Sequence, residues 1–182
     1  MIKTKQIAVF AVGLAFVVAL IPTYTHAQSP ATKKPLTEAQ CTLAKDKVAA
    51  HLTAYSAHHA ERINAYKAIT NRMNTFISSS TEAEYTLTAQ LTTARDSYER
   101  AVTIYKTQAD TYQASLEKVQ SAQCGADNTS FKNALAIAQA DLKKLRENSV
   151  SVKTAVKQNI VPALLTYADW LKTSNASTEE TK

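Results

Sequence analysis

The chain has 182 residues, a net charge of +6 and only two glycines, Gly13 and Gly125. So little glycine excludes the Gly-rich loops that cradle nucleotide phosphates. It also argues against an all-β domain, whose tight turns draw on glycine for positive φ.

The first 27 residues read as an export signal. Lys3 and Lys5 precede an apolar run from Ile7 to Ile21, Pro22 breaks it, and Thr25-His26-Ala27 places small residues where a signal peptidase selects them. Fifteen helical residues span roughly 22 Å, short of a ~30 Å hydrocarbon core. Cleavage is therefore expected, with an uncleaved membrane anchor as the alternative. Residues 28–36, with Pro30, Pro35, Lys33 and Lys34, read as a flexible leader. Export implies an oxidising compartment, where an even pair of cysteines, Cys41 and Cys124, is expected to form one disulfide rather than remain as buried thiols.

Three long helices follow. Thr37 and Gln40 form a capping-box pattern that opens the first, over residues 38–78. Its apolar and semi-apolar positions (Cys41, Ala44, Val48, Leu52, Tyr55, His59, Arg62, Tyr66, Ile69, Met73, Phe76) advance in steps of three and four, a period of about 3.5. Ser78 to Thr81 breaks the pattern, and Thr81 with Glu84 predicts a second capping box. The second helix, over residues 82–123, carries a stripe in which Tyr98, Tyr105 and Tyr112 recur every seven residues on one face. Cys124-Gly125 predicts the next break, with Gly125 as a left-handed cap and Asp127 or Thr129 capping the third helix. That helix, over residues 129–172, is expected to kink near Pro162. Residues 173–182 are polar and expected to be disordered.

A 40-residue amphipathic helix cannot bury its stripe alone. Three of equal length joined by short turns predict an all-α, antiparallel up-down-up three-helix bundle over residues 37–172, a coiled coil stapled at one end. If Ile77 and Glu82 flank the first turn, partners across the first two helices sum to about 159. Cys41 then lies about six residues, or ~9 Å, from the level of Cys124, a gap that the loop or a one-turn slip could close. The same counting places Trp170 near Phe76 and Ile77 at the other end. Residues 82–123 carry four basic and six acidic groups between two basic segments, a distribution suited to pairing between neighbouring helices.

Candidate sites are few. His51, His58 and His59 could form a pH-responsive patch, since imidazole titrates near neutrality. As metal ligands they fail: His51 and His58 lie ~10.5 Å apart along the axis, and the paired carboxylate motifs of bundle metal sites are missing. The tyrosine ladder reads as core with hydroxyls reaching outward. Lys143, Lys144 and Arg146 read as a solvated face, with anionic lipid or wall polymer as the sharper alternative. Scattered basic residues on an exported chain do not suit nucleic-acid binding. No serine or cysteine sits in a nucleophile-elbow pattern. No catalytic residue, metal or cofactor is assigned.

Cys124-Gly125, Phe131-Lys132, Ala134-Leu135, Ala138, Leu142, Arg146-Glu147-Asn148, Ile160 and Pro162-Ala163-Leu164 resemble small exported long-helix proteins of ultra-small candidate-phylum bacteria, whose function is unknown. The likeness covers most of the mature chain and implies the same fold and export. The Ser/Thr turn near residue 79 departs from the Gly-containing turn usual in that group. From these readings the expected function is an exported envelope or extracellular interaction or spacer protein, not an enzyme. It would engage a protein or envelope partner, with self-association open. The alternatives are a periplasmic chaperone-like client binder and a membrane-anchored coiled coil.

Overall fold

The computed structural model describes residues 37–79, 85–125 and 128–179. Helix α1 is Glu38–Ser78, α2 is Tyr85–Ser121 and α3 is Thr129–Ala155. A π-helical turn, Val156–Ile160, joins α3 to α4, Val161–Glu179. The export signal, the leader and the Thr81 cap lie outside the described residues, as does Asp127.

Each element begins or ends for a local reason. At α1 the capping box is complete. The Gln40 N–H donates to Thr37 Oγ1 at 3.2 Å, and the Thr37 N–H donates to Gln40 Oε1 at 3.0 Å. The turn before α3 differs from expectation. Gly125 has no positive φ. Asn128 takes the left-handed conformation instead, at φ 51°, as the N-terminal cap of α3. Asparagine tolerates that region because its short polar side chain bonds locally. Here Asn128 Oδ1 accepts the Gly125 N–H at 3.1 Å rather than capping the helix by side chain.

Just ahead of Pro162, where the sequence predicts a kink, lies the π turn. Proline has no N–H to give the carbonyl four residues back, and its ring crowds that carbonyl. The chain widens by one residue, and the Val161 N–H reaches the Val156 carbonyl. Asn159, in this wider turn, donates to Ser97 Oγ of α2 at 2.8 Å. Helix α4 then runs on to Glu179, through the first part of the tail expected to be disordered.

The three long segments form an antiparallel three-helix bundle. The seven-residue stripes are its core: Cys41, Tyr66 and Met73 from α1, Tyr98, Tyr105, Ala109, Tyr112, Leu116 and Val119 from α2, and Phe131, Ala138, Leu145 and Val152 from α3 are buried. Helix α2 is the central element, packing on α3 most extensively and on α1 next. The register differs from the first count. The cross-helix pairs His51–Tyr112, Tyr55–Ala109, Arg62–Tyr105 and Cys41–Cys124 sum to about 165 rather than 159.

That register brings the cysteines level. Cys41 and Cys124 form a disulfide with a Cα–Cα distance of 5.8 Å across a separation of 83 residues. Beside it, Lys45 Nζ donates to the Ala122 carbonyl at 2.8 Å, placing a cation at the C-terminal end of α2. At the opposite end Phe76 meets Tyr167 edge-on at 4.6 Å, and Tyr167 meets Trp170 at 5.9 Å. The expected plug is present, with Tyr167 as its link.

Candidate functional site

The richest chemistry lies where the tyrosine ladder of α2 passes between α1 and α3. A tyrosine at a core position buries its ring and must still satisfy its hydroxyl. All three ladder hydroxyls find partners on α1. Tyr98 Oη donates to the Tyr66 carbonyl at 3.4 Å, Tyr105 Oη accepts from Arg62 Nη1 at 2.9 Å, and Tyr112 Oη shares a 3.0 Å hydrogen bond with His51 Nε2. From the other side Ser149 of α3 acts on the Tyr66 hydroxyl. The rings thus wedge between α1 and α3, which accounts for the looser approach of those two helices.

Around this wedge runs a chain of aromatic contacts. Tyr112 meets Tyr55 edge-on at 5.0 Å, Tyr55 stacks on His59 at 5.8 Å, and His59 lies 6.0 Å from Tyr105. Tyr105 then meets Tyr66 at 5.5 Å and Tyr66 meets Tyr98 at 6.3 Å. Burial raises the hydroxyl pKa of Tyr55, Tyr66, Tyr98 and Tyr112, since a phenolate would be stripped of water. These phenols therefore stay neutral at physiological pH.

The three histidines separate. His51 is exposed and bonded to Tyr112. His58 is exposed and sits 3.5 Å from Glu61. His59 has a side chain only 12% exposed, with Nε2 3.7 Å from Asp110 and Nδ1 buried without a hydrogen-bond partner. Two effects oppose each other there. Asp110 favours the charged ring, while burial, helped by Lys106 and Arg62, disfavours it. Burial prevails and the His59 pKa falls below its ordinary value. The residues do not form one patch, and among the described residues no group of three or more His, Cys, Asp or Glu is placed to hold a metal ion.

One buried polar pair escaped the reading of the sequence. Asp141 is 7% exposed, and its Oδ2 accepts from Ser115 Oγ of α2 at 2.5 Å. Gln108 Nε2 adds a 3.3 Å bond to the Asp141 carbonyl, and Lys144 Nζ stands 3.8 Å from the carboxylate. The available signal was positional: Asp141 lies seven residues after Ala134 and fourteen before Ala155, in the column that flanks the core of α3. Lys144 is thereby separated from Lys143 and Arg146, with which it had been grouped.

The described surface depressions are open. One, of about 280 Å³, lies between α2 and the end of α3, lined by Ser97, Ala101, Val150, Thr154 and Asn159. A second, of about 220 Å³, lies between α1 and α2 and includes Lys67, Asn71 and Glu99. Among the described residues no helix is long and apolar enough to cross a membrane. The disulfide fits an oxidising, extracellular-type compartment. No protein-family model, curated protein or solved structure matches the chain.

Proposed function

We propose that this chain is an exported, non-enzymatic helical module that acts as a spacer or docking rod in the cell envelope or outside it. One observation carries the reading. The apolar and aromatic stripes of three antiparallel segments are spent on one another, and a disulfide closes the end where the chain enters and turns. What remains for partners is helix surface about 60 Å long. The N-terminal sequence supports export.

Fractionation with crosslinking tests this. The chain should be recovered from the envelope or the medium, oxidised at Cys41 and Cys124 and crosslinked through its helix faces. Recovery in the cytosol with both thiols open to alkylation would refute it.

The groove beside Val150 favours the second reading, a client-binding protein. The two separate on a hydrophobic dye. A spacer leaves the dye dark in the native state, and a client binder lights it.

A further inference from the structure

Helix α3 carries a cationic stripe that the packing leaves unused. Arg146 and Lys153 are separated by seven residues, and Lys143 and Lys157 by fourteen, so they occupy two adjacent columns of the seven-residue pattern. The stripe is about 21 Å long. Lys143, Arg146 and Lys157 are exposed and Lys153 is half-exposed. Among the described residues, Lys143, Arg146, Lys153 and Lys157 make no ion pair, whereas Lys106, Lys144 and Lys172 each face an aspartate. The only acidic residues of α3 are Asp141, buried against Ser115, and Glu147, which lies outside both columns.

The fold says where this stripe lies. Arg146 acts electrostatically on Tyr112, whose hydroxyl bonds His51 of α1. The Arg146 column therefore borders the α1–α3 groove that the tyrosine wedge holds open. On the α1 side of that groove Arg62 adds a further cation, bound to Tyr105.

We propose that this face binds a linear, phosphate-bearing polyanion, so that the rod docks along an envelope polymer. The proposal rests on the interaction reading above and names the partner's chemistry. Charge complementarity is the argument. Cations recur along one straight edge, each free to meet a phosphate, and Arg146 adds a fork of donors matched to phosphate oxygens. A lipid surface fits less well. Lying in a bilayer interface requires a row of apolar side chains beside the cations. These columns offer one large exposed apolar side chain, Val150, at 61%.

Binding of the full-length oxidised chain to long-chain inorganic polyphosphate provides the test. Saturable binding is expected at about 50 mM salt, weakening by about tenfold or more at about 200 mM as counterions compete. Arg146→Glu with Lys153→Glu and Lys157→Glu should weaken binding by about tenfold or more. The control Lys67→Glu, Lys118→Glu and Lys172→Glu, which makes the same charge change away from the stripe, should leave it within about threefold. If the reversed variant loses helicity, a neutral set (Lys143→Gln, Arg146→Gln, Lys153→Gln, Lys157→Gln) replaces it. Equal loss in both charge-reversal sets would reduce the effect to net charge and overturn the proposal. So would no binding by the unaltered chain, or binding to mixed phosphatidylglycerol and phosphatidylcholine vesicles with none to polyphosphate. Any of these leaves the spacer reading intact, because that reading is judged by fractionation.

Discussion

Helix α2 faces two neighbours and meets them by different chemistry. Toward α3 the packing is the most extensive in the bundle, and the buried α3 side chains Phe131, Ala138, Leu145 and Val152 are mostly aliphatic and small. Toward α1 it is polar and aromatic, built from Tyr55, His59, Arg62 and Tyr66 against Tyr98, Tyr105 and Tyr112. One seven-residue pattern supports both. The aliphatic seam gains by excluding water. The aromatic seam must also give each hydroxyl and ring nitrogen a partner, and at His59 Nδ1 it does not. The disulfide ties α1, the helix with the polar seam, to the segment just past α2.

Cutting that tie should produce the largest effect and show the asymmetry directly. Closing a loop of 83 residues stabilises by about 4.5 kcal/mol in the chain-entropy model. Cys41→Ser with Cys124→Ser should lower the unfolding free energy by about that amount in a urea titration. Amide exchange should rise more in α1 than in α3. Equal loosening of both helices would mean that the seams do not differ in strength.

Truncation of the seams comes next. Leu145→Ala removes a fully packed side chain and should cost about 3 kcal/mol. Tyr55→Phe deletes only a hydroxyl, whose 3.3 Å bond to the Ala109 carbonyl is long, and should cost about 1 kcal/mol. Paired denaturation curves decide it, and a reversed order would break the comparison.

Between these lies the buried Ser115–Asp141 contact of the α2–α3 seam. Ser115→Ala leaves the Asp141 carboxylate buried without its hydroxyl donor and should cost about 2 kcal/mol. Ser115→Ala combined with Asp141→Leu should recover much of that loss, because the stranded charge is gone.

The smallest expected effect is a slope with pH. The pKa of His59 is lowered in the folded chain, so below the ordinary value of about 6.5 the unfolded chain takes up the proton first. Stability is full above that value and declines as pH falls through it toward the folded pKa. The Tm should fall from pH 7.5 to 5.5, and His59→Gln should flatten the slope. A Tm that rises on acidification would show that Asp110, rather than burial, controls the ring.

Much of this was legible along the chain. Tyr98, Tyr105 and Tyr112 repeat at seven residues, and that spacing alone puts them on one buried face. Thr37 with Gln40 marks the start of α1 because the box is local, needing four residues and no tertiary contact. Pro162 announces a disturbance for an equally local reason, the missing N–H. Other features depend on what arrives from elsewhere. Whether Gly125 or Asn128 takes the left-handed conformation depends on how the turn settles against the bundle, and Asn128 at 2% exposure is held there by burial. Asp141 looked like any surface carboxylate until Ser115 came up beside it.

From order and spacing alone follow three long helices, their reversal and the pairing of two cysteines, because a period of about 3.5 admits one buried face per helix. Tertiary structure decided the register, the separate environments of the three histidines, and which lysines face a carboxylate and which form a bare edge. Those outcomes depend on the relative height of helices that touch only after folding. A slip of one turn, about 5.4 Å, would reassign every cross-helix partner and leave the periodicity of the sequence unchanged.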